Sequence, residues 1–333
     1  MSNSSKSTVL LTGGAGYIGS HTAKFLIDKN YQVIVIDNLS TGYKWAVPSE
    51  AKFYQLDLLD KTSLEKVFKD NTFESVIHFA AKTSVEESVR LPDIYLENNY
   101  HGSLNLIHFC EKYKIKNFVF SSTAAVYGNT NSEPISEDTK LAPISPYGES
   151  KVLTEKALLE SNLKTIIFRY FNVAGAKTDG TLGQATENAT HLIKIAAEVA
   201  SGKRASMYVF GSDYLTPDGT CVRDYIHVED IVSAHIAGLE YLLKNGKPRI
   251  LNLGYGSGHS VREVINTMKK VSGHSIPTKE APRRAGDCPS VVAEASAARQ
   301  VLQWTPQYDN LEIICRTAYD WEVKTKNTKA KNV

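Results

Sequence analysis

The sequence predicts an α/β fold, a doubly wound parallel sheet with a smaller α/β unit interleaved into its second half. Three observations carry this. Apolar, β-branched runs alternate with helical patterns through the first half of the chain. The first of those runs ends in a glycine cluster that opens a helix. After about Asn172 the regular alternation breaks, yet helix and strand patterns return near 229–244 and 249–253, where they can rejoin the sheet.

In chain order, 9–11, 33–36, 53–56, 75–80, 117–121 and 164–170 read as strands. Their nearly continuous apolar character suits strands covered on both faces of a parallel sheet. Helical patterns near 19–29, 62–69, 94–113 and 147–161 supply the right-handed crossovers. The stretch 174–188 is rich in Gly, Thr and Asp and reads as a loop. A helix near 190–201 and a strand at 207–210 follow. The segment 213–224 looks irregular, with Pro217 and Gly219 as breakers. The remainder, 260–323, reads as helical with a loop at 281–289, and 324–333 as a lysine-rich, disordered tail.

Bulk properties narrow the function. The chain has 333 residues, 42% hydrophobic and 22% charged, enough for a substantial core. A net charge of +2 without a basic block implies no nucleic-acid partner. No apolar run approaches the ~18 residues of a membrane span. The short polar start leads straight into a strand and lacks the apolar stretch of a signal peptide. Cys110, Cys221, Cys288 and Cys315 are scattered, with no Cys-x-x-Cys. That argues against a metal site or disulfide framework and suits a reducing, cytoplasmic setting.

The glycine cluster is Thr12-Gly13-Gly14-Ala15-Gly16-Tyr17-Ile18-Gly19. Gly13, Gly16 and Gly19 permit a tight turn, close backbone approach to a pyrophosphate and close helix–strand packing. The helix N-terminus then offers free N–H groups to the phosphates, in the manner of a Rossmann-type dinucleotide site. Asp37 ends the second strand, where a carboxylate can hold an adenosine ribose and repel a 2′-phosphate. That favours NAD over NADP. Asn38 beside it is an amide and not a phosphate-binding arginine. Asp57 closes the third strand, where it can reach the adenine amino group or cap the helix starting near Thr62. Phe79, Ala80 and Ala81 close the fourth strand with residues small enough, after the first, for a cofactor to pass.

Tyr147 and Lys151 stand one helical turn apart, so they share a face. The ammonium is expected to sit beside the phenol and to lower a pKa that starts near ~10. Thr123, at the end of the fifth strand, can place a hydroxyl on the same oxygen. This is equipment for moving a proton on and off an alcohol while a hydride leaves its carbon. Ser121 and Ser122 can simply end their strand. On composition alone Tyr170 and Phe171 read as core, and His78 and His227 as buried, hydrogen-bonded histidines.

Eight segments together carry a family likeness. They are the glycine cluster, Asp37-Asn38, His78-Phe-Ala-Ala, Ser-Ser-Thr123-Ala-Ala-Val-Tyr-Gly, Ser-Pro-Tyr147-Gly-Glu-Ser-Lys151, Arg169-Tyr-Phe-Asn-Val, Asp218-Gly-Thr-Cys-Val-Arg-Asp-Tyr-Ile-His227 and Ala281-Pro-Arg-Arg-Ala-Gly-Asp287. From about residue 8 to 323 the chain resembles the UDP-glucose (UDP-galactose) 4-epimerases, a family within the extended short-chain dehydrogenase/reductase superfamily. The glycine and Tyr–Lys motifs mark the superfamily, and the segment from Asp218 to His227 is more particular to the epimerases.

The resemblance implies reversible C4 inversion of UDP-galactose and UDP-glucose through a 4-keto intermediate, with tightly bound NAD. It makes Tyr147 the catalytic base, Lys151 its ribose-binding partner and Thr123 the catalytic hydroxyl. It adds Tyr17, Ile18, Leu58, Asn98, Ser121 and Tyr170 to the cofactor contacts. It places Thr123, Tyr147, Asn172, His191, Leu192, Phe210, Arg223, Arg284, Asp287 and Val291 around the UDP-sugar. Two arginines suit a diphosphate, because each guanidinium can bind bidentately. It also implies a homodimer, for which the helices at 94–113 and 147–161 are candidate faces. The NAD-binding domain would take 1–173 plus about 227–254. The UDP-sugar domain would take about 174–226 plus 255–323.

Two departures from the family pattern stand out. The lysine that often contacts the cofactor ribose aligns with Thr83, with Lys82 one residue earlier. A position beside the sugar, often a bulky tyrosine, is Val291, which leaves room for an N-acetyl group and so for UDP-GalNAc and UDP-GlcNAc. Sugar-nucleotide dehydratases on the same scaffold carry an acid just after the Ser-Thr, where this chain has Ala124 and Ala125. Epimerases of UDP-xylose or UDP-glucuronate share the motifs and remain an alternative.

Overall fold

The computed structural model describes residues 7–130, 133–187, 189–284 and 286–331. Strand β1 (Thr8–Thr12) leads through the glycine turn into α1 (Tyr17–Asp28), followed by β2 (Gln32–Asp37), β3 (Lys52–Gln55), α2 (Lys61–Asp70) and β4 (Ser75–His78). Helices α3 (Val85–Arg90), α4 (Pro92–Tyr95) and α5 (Gly102–Lys112) come next, with a π-helical stretch at Leu96–His101 before α5. Then come β5 (Asn117–Thr123), α6 (Pro146–Glu160), β6 (Lys164–Tyr170) and β7 (Asn172–Ala174). The second half carries α7 (Leu192–Ala200), β8 (Met207–Phe210), β9 (Val222–His227), α8 (Val228–Leu243), β10 (Arg249–Leu253), β11 (Gly258–Ser260), α9 (Val261–Ser272), β12 (Thr278–Ala281), β13 (Ser290–Val291), α10 (Ser296–Leu302) and α11 (Leu311–Lys331).

Among the described residues, seven strands form one sheet in the order β10-β6-β5-β4-β1-β2-β3. Every pairing in it is parallel. Alternate residues of each strand enter opposite cores. Val9, Leu11, Val33 and Val35 pack with α1 and α8 on one face, through Ala23, Leu26, Ile231 and Ala234. Leu10, Ile34 and Ile36 pack with α2 and α5 on the other, through Leu64, Val67, Leu106 and Cys110. Both faces are covered along the inner strands, which is why those strands read as unbroken apolar runs, whereas edge strand β3 stays half-exposed. Winding reverses between β1 and β4, so their C-terminal ends open the crevice where such sheets bind ligands.

The rest of the second half builds around β9. It pairs with β11 antiparallel and with β7 and β13 parallel. Strands β8 and β12 form a separate parallel ribbon. Three expectations from the sequence differ from the structure. The stretch expected to be irregular already becomes strand at Val222. The stretch expected to be helical contains β12, Thr-Lys-Glu-Ala, which has no apolar run because it is mostly exposed and needs only β8 as a partner. The expected tail is helical through Lys331, since it holds no proline or glycine to stop α11. Lys324 Nζ donates to Gly180 O at 2.6 Å and Lys326 Nζ to Ser201 O at 2.8 Å, so this segment is tied to the body. Asn332 and Val333, the start 1–6, and Asn188 and Ala285 within the two expected loops lie outside the described residues.

Candidate active site

The glycine turn is fixed by its neighbours. Gly13 has φ +73°, and a Cβ there would lie 2.6 Å from Ala80 N. A Cβ on Gly19 would run into Gly13 O. Gly13 N donates to Ile36 O (2.8 Å) and Phe79 N to Thr12 O (3.0 Å), tying the turn to β2 and to the end of β4. Gly16 stands at the N-cap of α1, and no side chain caps that helix. The first-turn N–H groups, from Tyr17 to Gly19, are thus left for an external acceptor. The Tyr17 hydroxyl donates to Gly175 O at 2.6 Å.

Asp37 is buried at the end of β2 and accepts from Ala15 N (2.9 Å) and Leu39 N (2.8 Å). Burial raises its carboxyl, against the pull of those two N–H groups. Asn38 donates to Asp57 at 2.8 Å, and Asp57 also accepts from Leu59 N at 2.9 Å. The cap of α2 is Asp60, which accepts from Ser63 N at 3.1 Å, so Asp57 does not serve there. Leu58 is buried, with its carbonyl bonded to Asn105. Asn98 donates to Asn99 at 2.8 Å, and Asn99 in turn clamps both backbone groups of Lys82, just after Ala81. A glycine cradle, an uncapped helix start and a held carboxylate fit NAD.

Helix α6 starts where the sequence provides a cap and a starter: Ser145 accepts from Gly148 N, and Pro146 takes the first helical position. This brings Tyr147 and Lys151 against the end of β5. Lys151 Nζ donates to Ser121 O at 2.8 Å and lies 4.9 Å from the Phe120 ring centre. Thr123 accepts from Ala125 N, and its hydroxyl partners the Tyr147 phenol. Burial pushes the phenol up to about 12, with Thr123 pulling the other way. Burial also lowers Lys151 to about 7, opposed by the nearby Glu155 carboxylate. The expected lowering of Tyr147 by Lys151 is therefore absent. The ammonium is spent on the Ser121 carbonyl, and the buried phenol loses water without gaining a cation. Tyr170 and Ser121 share a close hydroxyl contact beside this group.

A second cluster gathers residues far apart in sequence. Arg223, on β9, donates to Val222 O (2.8 Å) and Cys288 O (2.9 Å) and stands 3.5 Å from Asp287. Arg284 Nε reaches Asp287 at 2.8 Å, and its guanidinium lies 5.0 Å from the Phe210 ring centre. Val291 pairs in register with Arg223. Asn172 opens β7, in register with Tyr225. Leu192 starts α7, and His191 sits at its N-cap bonded to Gln184 at 3.0 Å.

His78 and His227 match the buried reading. His78 bonds Thr12 and Ser103, His227 accepts from Glu229 N, and burial lowers each to about 3. The sequence reading missed Glu155 and Arg169. They form a buried ion pair at 2.6 Å, and Ser122 donates to the same carboxylate. One helical turn past Lys151 on the same face, Glu155 carried a signal in its spacing. No group of three metal-ligating side chains occurs among the described residues, and none of their helices is long and apolar enough to cross a membrane.

Residues 9–254 match the model of the NAD dependent epimerase/dehydratase family. The chain belongs to that family. A UDP-glucose 4-epimerase of Azospirillum brasilense is 46% identical over 318 residues, covering 94% of this chain and 91% of that relative. A UDP-glucose 4-epimerase from Brucella ovis, solved in complex with NAD, superposes with a TM-score of 0.92 at 40% identity, covering 95% of this chain and 98% of that one. A UDP-Glc/GlcNAc 4-epimerase from Campylobacter jejuni is 47% identical, with a TM-score of 0.84 and coverage of 96% and 99%. The family match spans β1 to β10 and so contains the glycine turn, Thr123, Tyr147 and Lys151.

Proposed function

We propose that the chain is an NAD-dependent UDP-glucose 4-epimerase that interconverts UDP-galactose and UDP-glucose. The observation that carries this is Thr123 and Tyr147 meeting beside Lys151 at the mouth of the nucleotide crevice, with no acid after Thr123. The relatives' activities support the choice of substrate. NAD, when bound, supplies the hydride acceptor for sugar C4, returns that hydride, and brings a positive ring that favours phenolate nearby. Tyr147 takes the proton from the 4-hydroxyl and later returns it. Thr123 aligns that hydroxyl, and Lys151 holds the end of β5 and the ribose. The sugar passes through a 4-keto form and turns over while Arg223, Arg284 and Asp287 keep the UDP in place. Asp37 selects a free 2′-hydroxyl, hence NAD. Strong grip on UDP with weak grip on the hexose is what a turning sugar requires.

The test is to mix purified protein with UDP-galactose, add no NAD, and follow the anomeric protons by NMR. Approach to a UDP-glucose/UDP-galactose mixture supports the reading. No change from a protein that carries NAD moves the substrate to another UDP-sugar, such as UDP-xylose or UDP-glucuronate.

Val291 favours acceptance of UDP-GlcNAc and UDP-GalNAc, since a small side chain stands beside Arg223. Val291→Tyr should suppress turnover of the N-acetylated sugars and spare UDP-galactose. A cytoplasmic homodimer fits Val85, Val89, Leu91 and Ile94 on and between α3 and α4 and Leu159 on α6, all exposed. Sedimentation of Val89→Glu as a monomer, against a dimeric parent, tests that face. The division of labour follows 1–173 plus about 227–254 for NAD and about 174–226 plus 255–323 for the UDP-sugar.

A further inference from the structure

Retention of the cofactor through a whole turnover needs something to hold the nucleotide crevice shut, and the segment after β2 is placed to do so. From Asp37 the chain returns across the glycine turn. Tyr43 N donates to Ala15 O at 3.0 Å. Gly42 packs so tightly on Ala15 that a Cβ there would lie 2.8 Å from its carbonyl carbon. Beyond this crossing, Tyr43 lies 5.7 Å from Trp45, ring centre to ring centre.

Trp45 is 57% exposed, unusual for the largest apolar side chain. Its one face is used. It stacks on Trp321 of α11 with ring centres 6.1 Å apart and planes 29° apart. Trp321 is itself buried, and it carries a second loop. Its Nε1 donates to Gln184 O at 3.2 Å, and Gly183 lies so close to the ring that no side chain would fit. A small pocket opens between these parts, walled by Gly16, Tyr17 and Ser20 of the turn, Tyr43 and Trp45 of the returning segment, and Gly183. Two segments remote in sequence, 41–46 and 183–186, thus close around the start of α1, and Trp321 ties both of them to α11.

We infer that the Trp45–Trp321 stack is a latch that retains the bound dinucleotide, by pinning the 40–46 segment to the C-terminal helix across the mouth of the phosphate site. This rests on the reading of the glycine turn as an NAD site. The diphosphate leaves only when the returning segment lifts from Ala15, and lifting it unstacks the indoles. Trp45 shares its pocket with the start of α1, while Thr123, Tyr147 and Lys151 do not line that pocket, so it acts on cofactor residence and not on the chemistry.

The experiment measures NAD release from the holoenzyme of the parent, Trp45→Ala, Trp45→Phe and Trp321→Phe, by dilution into a large excess of an NAD-degrading enzyme. Losing an aromatic stack speeds release roughly two- to tenfold in Trp45→Ala, and Trp45→Phe restores most of the parent rate. Epimerisation by Trp45→Ala with saturating NAD present stays near that of the parent. Release at the parent rate from Trp45→Ala overturns the latch while leaving the NAD site intact. Equal acceleration in Trp45→Ala and Trp45→Phe also overturns it, because a stack would tolerate phenylalanine. Absence of NAD from the parent itself would sink the underlying reading instead.

Discussion

The two proposed binding regions are built from different materials. Around Gly13 the backbone is the site. Strand ends and a helix start are locked to one another, and even a methyl group has nowhere to go. Around Arg223 and Arg284 the side chains are the site. They reach in from β9 and a loop, and the single Asp287 carboxylate bridges both, leaving a net positive charge, while Phe210 underlies one. Arg284 remains 54% exposed. A backbone cradle suits a cofactor that stays for every turnover. A side-chain clamp, able to trade Asp287 for a diphosphate, suits a substrate that must enter and leave.

The largest effect should come from the group proposed to move the proton. Tyr147→Phe removes the hydroxyl placed to exchange the proton, and turnover should fall by about 10²–10⁴-fold with NAD still bound. Loss of NAD along with activity would blur the contrast, by making Tyr147 part of the cradle.

Gly13→Ala sharpens the contrast from the cradle side. It forces φ +73° on a residue with a Cβ, which costs about 1–2 kcal/mol before the clash with Ala80 is counted. The purified variant should hold little NAD and melt earlier. Arg284→Ala is its opposite number. It should weaken UDP binding roughly 10- to 100-fold, read as KM or as UDP titration, with NAD content unchanged. A loss of NAD in Arg284→Ala would show that the two regions are not separable.

A smaller effect comes from acid. His78 and His235 sit neutral under the nucleotide half, held by burial at about 3 and about 4. The unfolded chain takes up those protons near ~6.5, so between there and the folded values it binds more protons than the native state. Stability should be full above that pH and fall as pH drops through the window, by about 1.4 kcal/mol per pH unit for each histidine. Urea melts at neutral and mildly acid pH should differ less in His235→Leu than in the parent. An equal difference would mean that other groups carry the acid sensitivity.

The two regions were also unequally legible. β1, β2, β4, β5 and β6 could be read because both of their faces are apolar, edge strand β3 from Phe53 and Tyr54 alone, and the glycine turn because its residues are contiguous. Thr123, Tyr147 and Lys151 sit at strand and helix ends that the alternation marks. Arg223 meets Arg284 and Asp287 only after β9 and β13 pair, so spacing alone could not join it to that local pair, and family likeness did. β12 was missed because an exposed edge strand needs no hydrophobic pattern. The partner of Lys151 was missed as well: a backbone carbonyl, Ser121 O, leaves no trace in residue type. The Trp45–Trp321 stack is invisible for the same reason as the arginines, since nothing local links two aromatic residues at opposite ends of a chain.

The central claim is that the C4 hydride leaves the sugar, stays on the protein's retained cofactor and returns to the same carbon. It is tested most directly with UDP-galactose deuterated at C4, incubated with the purified protein in ordinary water. UDP-glucose should form with its deuterium still at C4. Product carrying a solvent proton at C4 would mean that the carbon is deprotonated by a base, and would contradict the roles of Tyr147 and of the nucleotide crevice.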